Sequence, residues 1–367
     1  MKTLSEIMQV CHAPDAGTLV NTTQNYVNAY DGSTTAFAAP NDLSSLMKTY
    51  YDTELLENAR PNLIHAQFAR KQPLPKGRGK KVEWRKFNTL ADASALTEGV
   101  IPTGQKFGQS SMTASILQYG TYLTVSDQLE LHAIDNVILN ATEELGASAG
   151  TTQDKLVRDT LAAGQTVQYC DKVSTAGAHT AVDTRAGMDT TSKLTPTEVN
   201  KAVTTLKKLK APTINGKYVA IIHPSVSYDL RENKEWIEAH KYAAVTPLFT
   251  GEIGELHGVR FIETTEAKIW NNNTCPVKTA AGTGGTPAAT YYSVYSTLFL
   301  GKDAFGMIDP EGGGLEMIVK SKEQAGGPLN QFSTLGYKFS TATKILYQDR
   351  MVRVESLSEY SGTDEAN

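Results

Sequence analysis

Three histidines at even separation, His223, His240 and His257, are the first residues to weigh for chemistry, because imidazole is both a metal ligand and a base near neutral pH. None has a second ligand type at metal spacing, and His223 before Pro224 reads as the end of a strand. Cys11-His12 sets a thiol beside an imidazole, but sequence neighbours are not a prearranged nucleophile and base. Glu252, Glu255, Glu263 and Glu266 fall around turns and strand edges, where solvated surface explains them and nothing singles out an acid/base pair. The chain has no GxxxxGK(S/T), GxSxG, HExxH or CxxC pattern. Lys76-Gly-Arg-Gly-Lys80 and Gly282-Thr-Gly-Gly285 are glycine-rich without a clear strand before and helix after, so they read as loops. No catalytic residue, cofactor or metal is expected, and an enzyme would need a dispersed site that these spacings do not reveal.

The strongest local signal is instead a block of charge. Arg70, Lys71, Lys76, Arg78, Lys80, Lys81, Arg85 and Lys86 face only Glu83, and Pro73, Pro75, Gly77 and Gly79 punctuate the run. Val82 and Trp84 alternate with Glu83 and Arg85, while Met112, Ala114 and Ile116 alternate with Ser111, Thr113 and Ser115, so two half-buried strands are expected to flank a Gly/Pro-rich tip. Such a hairpin, from Gln67 to Ile116, is marginal in water by itself. Nucleic-acid binding with Trp84 stacking is one reading, although the formal net charge of −4 gives no overall attraction to phosphate. A solvated, mobile hairpin is another. The preferred reading is an arm whose charges and apolar faces (Val82, Trp84, Met112 and Ile116) dock on a neighbouring copy. On that reading, removing Lys76 to Gln109 leaves both cores folded.

The rest of the chain supplies elements to carry this arm. At 367 residues, 40% hydrophobic and 20% charged, it is long enough for more than one packed unit. Three distant cysteines, Cys11, Cys170 and Cys275, suggest no disulfide framework. Neither a signal peptide nor a run of about 18 apolar residues is found. The first forty residues, rich in Asn, Thr, Ala and Gly, read as an arm, and a cap at Asn41-Asp42 opens a helix that ends before Pro61. A long helix is expected from Ser126-Asp127 toward Gly164, bent or broken at Gly146 and Gly150, which each cost roughly 1 kcal/mol against alanine. Thr195-Pro196-Thr197-Glu198 reads as a capping box with Pro at the first helical position. Strands are expected at Lys217 to Ile222, Gly258 to Ile262, Tyr291 to Leu300, Leu315 to Lys320 and Lys344 to Glu355, the last bent at Gln348-Asp349-Arg350. Without a regular βαβ period, this is an α+β chain.

That order of parts, together with three stretches, resembles the major capsid proteins of tailed bacteriophages. The stretches are Tyr218-Val-Ala-Ile-Ile-His-Pro-Ser225 followed by Asp229-Leu230, Gly251 to Glu263, and Ile345 to Glu355. The resemblance implies a tailed-phage capsid-type fold: an N-terminal arm (1–41), an N-terminal helix (42–66), an extended hairpin loop (67–125) and a peripheral domain with a long spine helix (126–194). An axial domain (195–300) follows, then return strands of the peripheral domain and a C-terminal tail (301–367). It further implies hexamers and pentamers of the chain in an icosahedral shell around double-stranded DNA. A separate scaffolding protein, a portal and a decoration protein are the implied partners, with no membrane. Some members crosslink neighbours through a lysine and an asparagine; Lys76, Lys80 and Lys81 qualify only by location. An encapsulin-like nanocompartment shell of the same fold is the alternative.

Overall fold

The computed structural model describes the backbone at 24–27, at 34–37 and through 63–367, except 78, 88–89, 91, 94, 96–97, 100, 102–103, 127, 129–136, 175–176, 241–251, 280–288 and 321–330. The helix expected between Asn41 and Pro61 and the Cys11-His12 pair lie outside the described residues. The early strands are β1 (Gln24–Val27), β2 (Thr34–Phe37), β3 (Arg70–Leu74), β4 (Lys81–Phe87), β5 (Gln109–Ser115), β6 (Leu117–Ser126), β7 (Val167–Tyr169), β8 (Lys172–Val173) and β9 (His179–Thr180). Next come β10 (Tyr218–Ile222), β11 (Glu252–Leu256), β12 (Val259–Glu263), β13 (Ile269–Trp270), β14 (Val277–Thr279) and β15 (Thr290–Tyr291). Last are β16 (Val294–Leu300), β17 (Phe305–Pro310), β18 (Glu316–Lys320), β19 (Phe332–Ile345) and β20 (Met351–Ser356). The helices are α1 (Val137–Ala162), α2 (Pro196–Lys208), α3 (Pro224–Arg231) and α4 (Lys234–His240).

Two compact units divide the chain: Met1–Arg60, Gln118–Ala149 and Leu315–Phe339 form one, and Pro61–Leu117, Gly150–Gly314 and Ser340–Asn367 the other. The expected return strands therefore divide, β18 and most of β19 going to the first unit and β20 to the second.

The second unit is built on a mixed sheet in the order β11-β12-β10-β16-β20-β7, with β13 also on β16. Its central strand β10 reads as an unbroken apolar run because both faces are covered. Tyr218, Ala220 and Ile222 point into a cluster with Val199, Val203 and Leu206 of α2, Val226 and Leu230 of α3, and Trp236 of α4. Val219 and Ile221, one residue out of phase, join Val157 and Leu161 of α1, Phe68 and Phe305 on the opposite face. β10 runs parallel to β12 and antiparallel to β16, a mixture consistent with the α+β reading.

Helix α2 begins at Pro196 as expected, yet the capping box does not close. The Thr195 side chain makes no cap bond, and Glu198 turns instead to Gln168 Nε2 at 2.9 Å and Lys201 Nζ at 2.9 Å. The Lys201 ammonium, as a charged donor, outcompetes the neutral backbone N–H for the carboxylate. The break that Gly146 and Gly150 could have made does not occur: α1 is helical through both, about 39 Å at 1.5 Å per residue. Burial of Ala149, Val157 and Leu161 is worth more than the glycine penalty, at about 1.5–3 kcal/mol per large apolar side chain.

In the first unit, β6 and β18 flank β19. Met317 and Leu335 are fully buried there, and Ser148 of α1 bonds the Tyr337 hydroxyl at 3.2 Å. Gly120 and Gly336 allow the strands to meet, since a Cβ on Gly336 would lie 2.7 Å from Tyr122 Cβ and 2.8 Å from the Thr121 carbonyl.

Candidate assembly interface

The arm is a hairpin, as its alternation requires: β4 and β5 pair antiparallel, with Val82 opposite Ala114 and Trp84 opposite Met112. The turn before it uses Gly77 and Gly79 at positive φ, where a Cβ would be strained. An extra strand precedes the hairpin. The basic residues Arg70 and Lys71 lie on β3, which pairs parallel with β17 at Gly306 and Met307.

The root of the hairpin is built into the chain's own core. Val82, Trp84, Ala114 and Ile116 are buried with Ile308, Ala342 and Leu346, and Leu74 and Tyr347 pack on the same cluster. Gly306 gives the indole room, because a Cβ there would sit 3.2 Å from the Trp84 ring. This corrects the expectation for Val82, Trp84 and Ile116: their apolar faces are satisfied within one chain and do not await a neighbour. It also removes Trp84, 7% exposed, as a base-stacking platform, and it means that strands within Lys76 to Gln109 are needed for a core. Met112 is half-buried.

The basic residues divide differently. Lys86 leans back on its own chain, 3.5 Å from Asp349 Oδ2 and 4.9 Å from the centre of the Tyr347 ring. Arg85 pairs with Glu83 at 3.4 Å on the exposed surface, and the Lys76 backbone N–H donates to Glu311 at 3.4 Å. Arg70, Lys71, Lys80 and Lys81 are exposed, with no ion pair among the described residues. Arg78 lies outside the described residues.

Beyond the root, the exposure is apolar. Phe87 and Phe107 stack at 4.9 Å between centroids, yet remain 55% and 62% exposed, and Leu90 and Ile101 are 52% and 93% exposed. Sequence reasoning placed only a Gly/Pro-rich tip here. The available signal was the set of large apolar residues between the two predicted strands, Phe87, Leu90, Leu96, Val100, Ile101 and Phe107, with neither strand nor helix period.

The residues first weighed for chemistry are dispersed. His223 accepts a hydrogen bond from Ser225 N at 3.2 Å and so caps α3, its ring 5.0 Å from Tyr295. His257 takes positive φ in the β11–β12 turn, and His240 ends α4. Each of the four glutamates has a cationic partner: Glu252 with Arg260, Glu255 with Lys217, Glu263 with Arg231, and Glu266 with Lys155. Cys170 and Cys275 are free and buried; burial above all, reinforced by Glu198 and Asp171, pushes the Cys170 thiol far above its ordinary value and makes it a poor nucleophile. Among the described residues no helix is long and apolar enough to cross a membrane.

A mixed sheet carrying α2 to α4, a long helix and a hairpin are parts that the capsid resemblance called for. The family comparison gives the same class: the phage capsid protein family matches residues 45–325, and the chain belongs to that family. No curated protein matches the sequence. Among solved structures, the capsid of Ralstonia phage GP4 is similar at 12% identity and TM-score 0.56, over 80% of this chain and 87% of that one. The cyanophage Pam1 capsid is similar at 12% identity and TM-score 0.54, over 91% and 99%, and the cyanophage P-SCSP1u capsid at 17% and 0.52, over 81% and 88%. At these identities the likeness is one of fold, the tailed-phage capsid-type fold.

Proposed function

We propose that this capsid-family chain is the major shell subunit of a bacteriophage head, assembling with copies of itself into hexamers and pentamers of an icosahedral shell around double-stranded DNA. The observation that carries this reading is the division of the hairpin. Its root is locked into the chain's own core, while its distal part leaves Phe87 and Phe107, stacked on each other, and Leu90 and Ile101 more than half exposed. A rigid root with an apolar tip is suited to reach a neighbour and bury the tip there. The exposed Arg70, Lys71, Lys80 and Lys81 would add charge complementarity at the rim, which favours register and encounter over affinity. A formal net charge of −4 lets a shell enclose DNA without binding it tightly to the wall.

On this reading Thr195 to Leu300 is the axial domain, α1 the spine of the peripheral domain, and the subunit acts in the virion without catalysis. Shell formation takes place in the host cytoplasm with a separate scaffolding protein, portal and decoration protein as partners. Negative-stain microscopy of the protein expressed with and without its genomic neighbours tests the reading. Rings, hexamers or closed shells are expected, and shells filled by a co-purifying enzyme or monomers under every condition would count against it.

A further inference from the structure

The β8–β9 hairpin and α2 bring together a donor set that shell assembly does not use. Asp171 immediately precedes β8, His179 opens β9, and Glu198 lies in the first turn of α2; one ligand atom from each lies within 4.8 Å of the others. His179 Nδ1 is 3.9 Å from Asp171 Oδ2. Glu198 is 2% exposed, and its second oxygen is fixed by Gln168 Nε2 at 2.9 Å. Between the carboxylates sits the Lys201 ammonium, bonded to Asp171 and, at 2.9 Å, to Glu198 Oε1.

This arrangement already binds a cation. Two poorly exposed carboxylates face one ammonium, with the His179 ring beside them. The lysine is 44% exposed along its side chain, so its head can move out to water without unfolding anything. Among the described residues β8 and β9 form their own two-stranded sheet, held at one side by Val173 N to Thr191 Oγ1 at 3.1 Å and Lys172 to Asp189 at 3.6 Å.

We propose that Asp171, His179 and Glu198 form a binding site for a divalent first-row transition cation that displaces the Lys201 ammonium and clips the β8–β9 hairpin to α2. The donor set selects the class of ion. An imidazole nitrogen with two carboxylate oxygens and open positions for water suits Zn²⁺ and its neighbours, whereas Ca²⁺ and Mg²⁺ prefer all-oxygen sites. Lys201 is the competitor: its ammonium is bonded to both Asp171 and Glu198, so the ion must displace it. Its removal should therefore strengthen metal binding, the opposite of what loss of a ligand does.

The test is calorimetric titration of the full-length unassembled chain with ZnCl₂, with Co²⁺ absorption reporting ligand geometry. One Zn²⁺ per chain is expected. His179→Ala, an exposed position, should weaken binding by at least about tenfold and remove the visible Co²⁺ bands, while Lys201→Met should tighten binding by about tenfold as a like charge a few ångströms away is lost. Far-UV circular dichroism confirms that both variants keep the wild-type fold. Zn²⁺ binding unchanged by His179→Ala, no tightening in Lys201→Met, or no saturable binding by the wild-type chain below about 1 mM would each overturn the proposal.

Discussion

Truncating Trp84 separates a hairpin rooted in its own chain from one that waits for a neighbour. The indole is 7% exposed and packs with Val82, Ala114, Ile116, Ile308, Ala342 and Leu346. A buried tryptophan removes about 150–250 Å² from water, about 4–6 kcal/mol at 25 cal/mol per Å², and Trp→Ala substitutions in cores cost about 3–5 kcal/mol. Trp84→Phe should behave differently. The indole N–H is buried with no hydrogen-bond partner among the described residues, so removing it relieves a desolvation cost of about 1–3 kcal/mol that offsets much of the lost area. Urea unfolding of the unassembled subunit, followed by far-UV circular dichroism, should give a midpoint strongly lowered by Trp84→Ala and nearly unchanged by Trp84→Phe. The slope should stay constant, which keeps the midpoints comparable. If Trp84→Ala leaves the unassembled subunit within about 0.5 kcal/mol of wild type, the indole is not part of an intrachain core and the reasoning fails.

Phe87→Asp with Phe107→Asp, both at exposed positions, should shift unassembled stability by no more than about 0.5 kcal/mol while abolishing shells in micrographs; shells of normal yield would count against a docking role. Glu355→Gln should destabilise by about 3–5 kcal/mol in the same urea assay, because the fully buried carboxylate takes two bonds from Arg185, at 2.6 and 2.7 Å, and lies 3.0 Å from Arg353 Nε. Acid should release residues 358–367, which are tied to the second unit through Asp364. Desolvation raises that carboxyl, but hydrogen bonds from Ser361, Tyr295 and Ser225 outweigh it and hold its pKa below the ordinary value. His223 beside it is pushed down by burial, against the pull of Asp364 and Glu263. Both folded values are depressed, so both contributions are complete above the unfolded values, about 3.9 and 6.5, and are lost as pH falls through the folded ones. Hydrogen exchange of 358–367, corrected for intrinsic rates, should therefore rise on acidification below about pH 6, and unchanged protection at pH 3 would refute this.

Local patterns carried much of the fold. The period-2 faces at Val82, Trp84, Ala114 and Ile116, the apolar run at Tyr218–Ile222, and the bend at Gln348–Arg350 between β19 and β20 were all legible because they are set by neighbouring residues. What filled those faces was not. Ile308, Ala342 and Leu346 lie more than 190 residues from Ala114 in sequence, and no spacing rule announces such a contact, so a face that needed a partner was assigned one on another copy. β3 was hidden because Pro73 and the dense charge argue against a strand; it is tolerated beside β17 as a short strand with exposed side chains. The Asp171, His179 and Glu198 cluster escaped for the same reason as the core. Its members are eight and nineteen residues apart on three elements, whereas metal spacing in sequence is readable only when ligands share one element or turn.

The central claim, that one hairpin is anchored at its root and docked at its tip, is tested most directly by a symmetry-imposed cryo-electron microscopy reconstruction of particles assembled from this chain. The prediction is rings of six and five copies in which residues 87–107 of each copy lie against the adjacent one, with Trp84 buried under Leu346 of its own chain. Residues 87–107 folded back on their own subunit, or pointing to solvent in a closed shell, would contradict it.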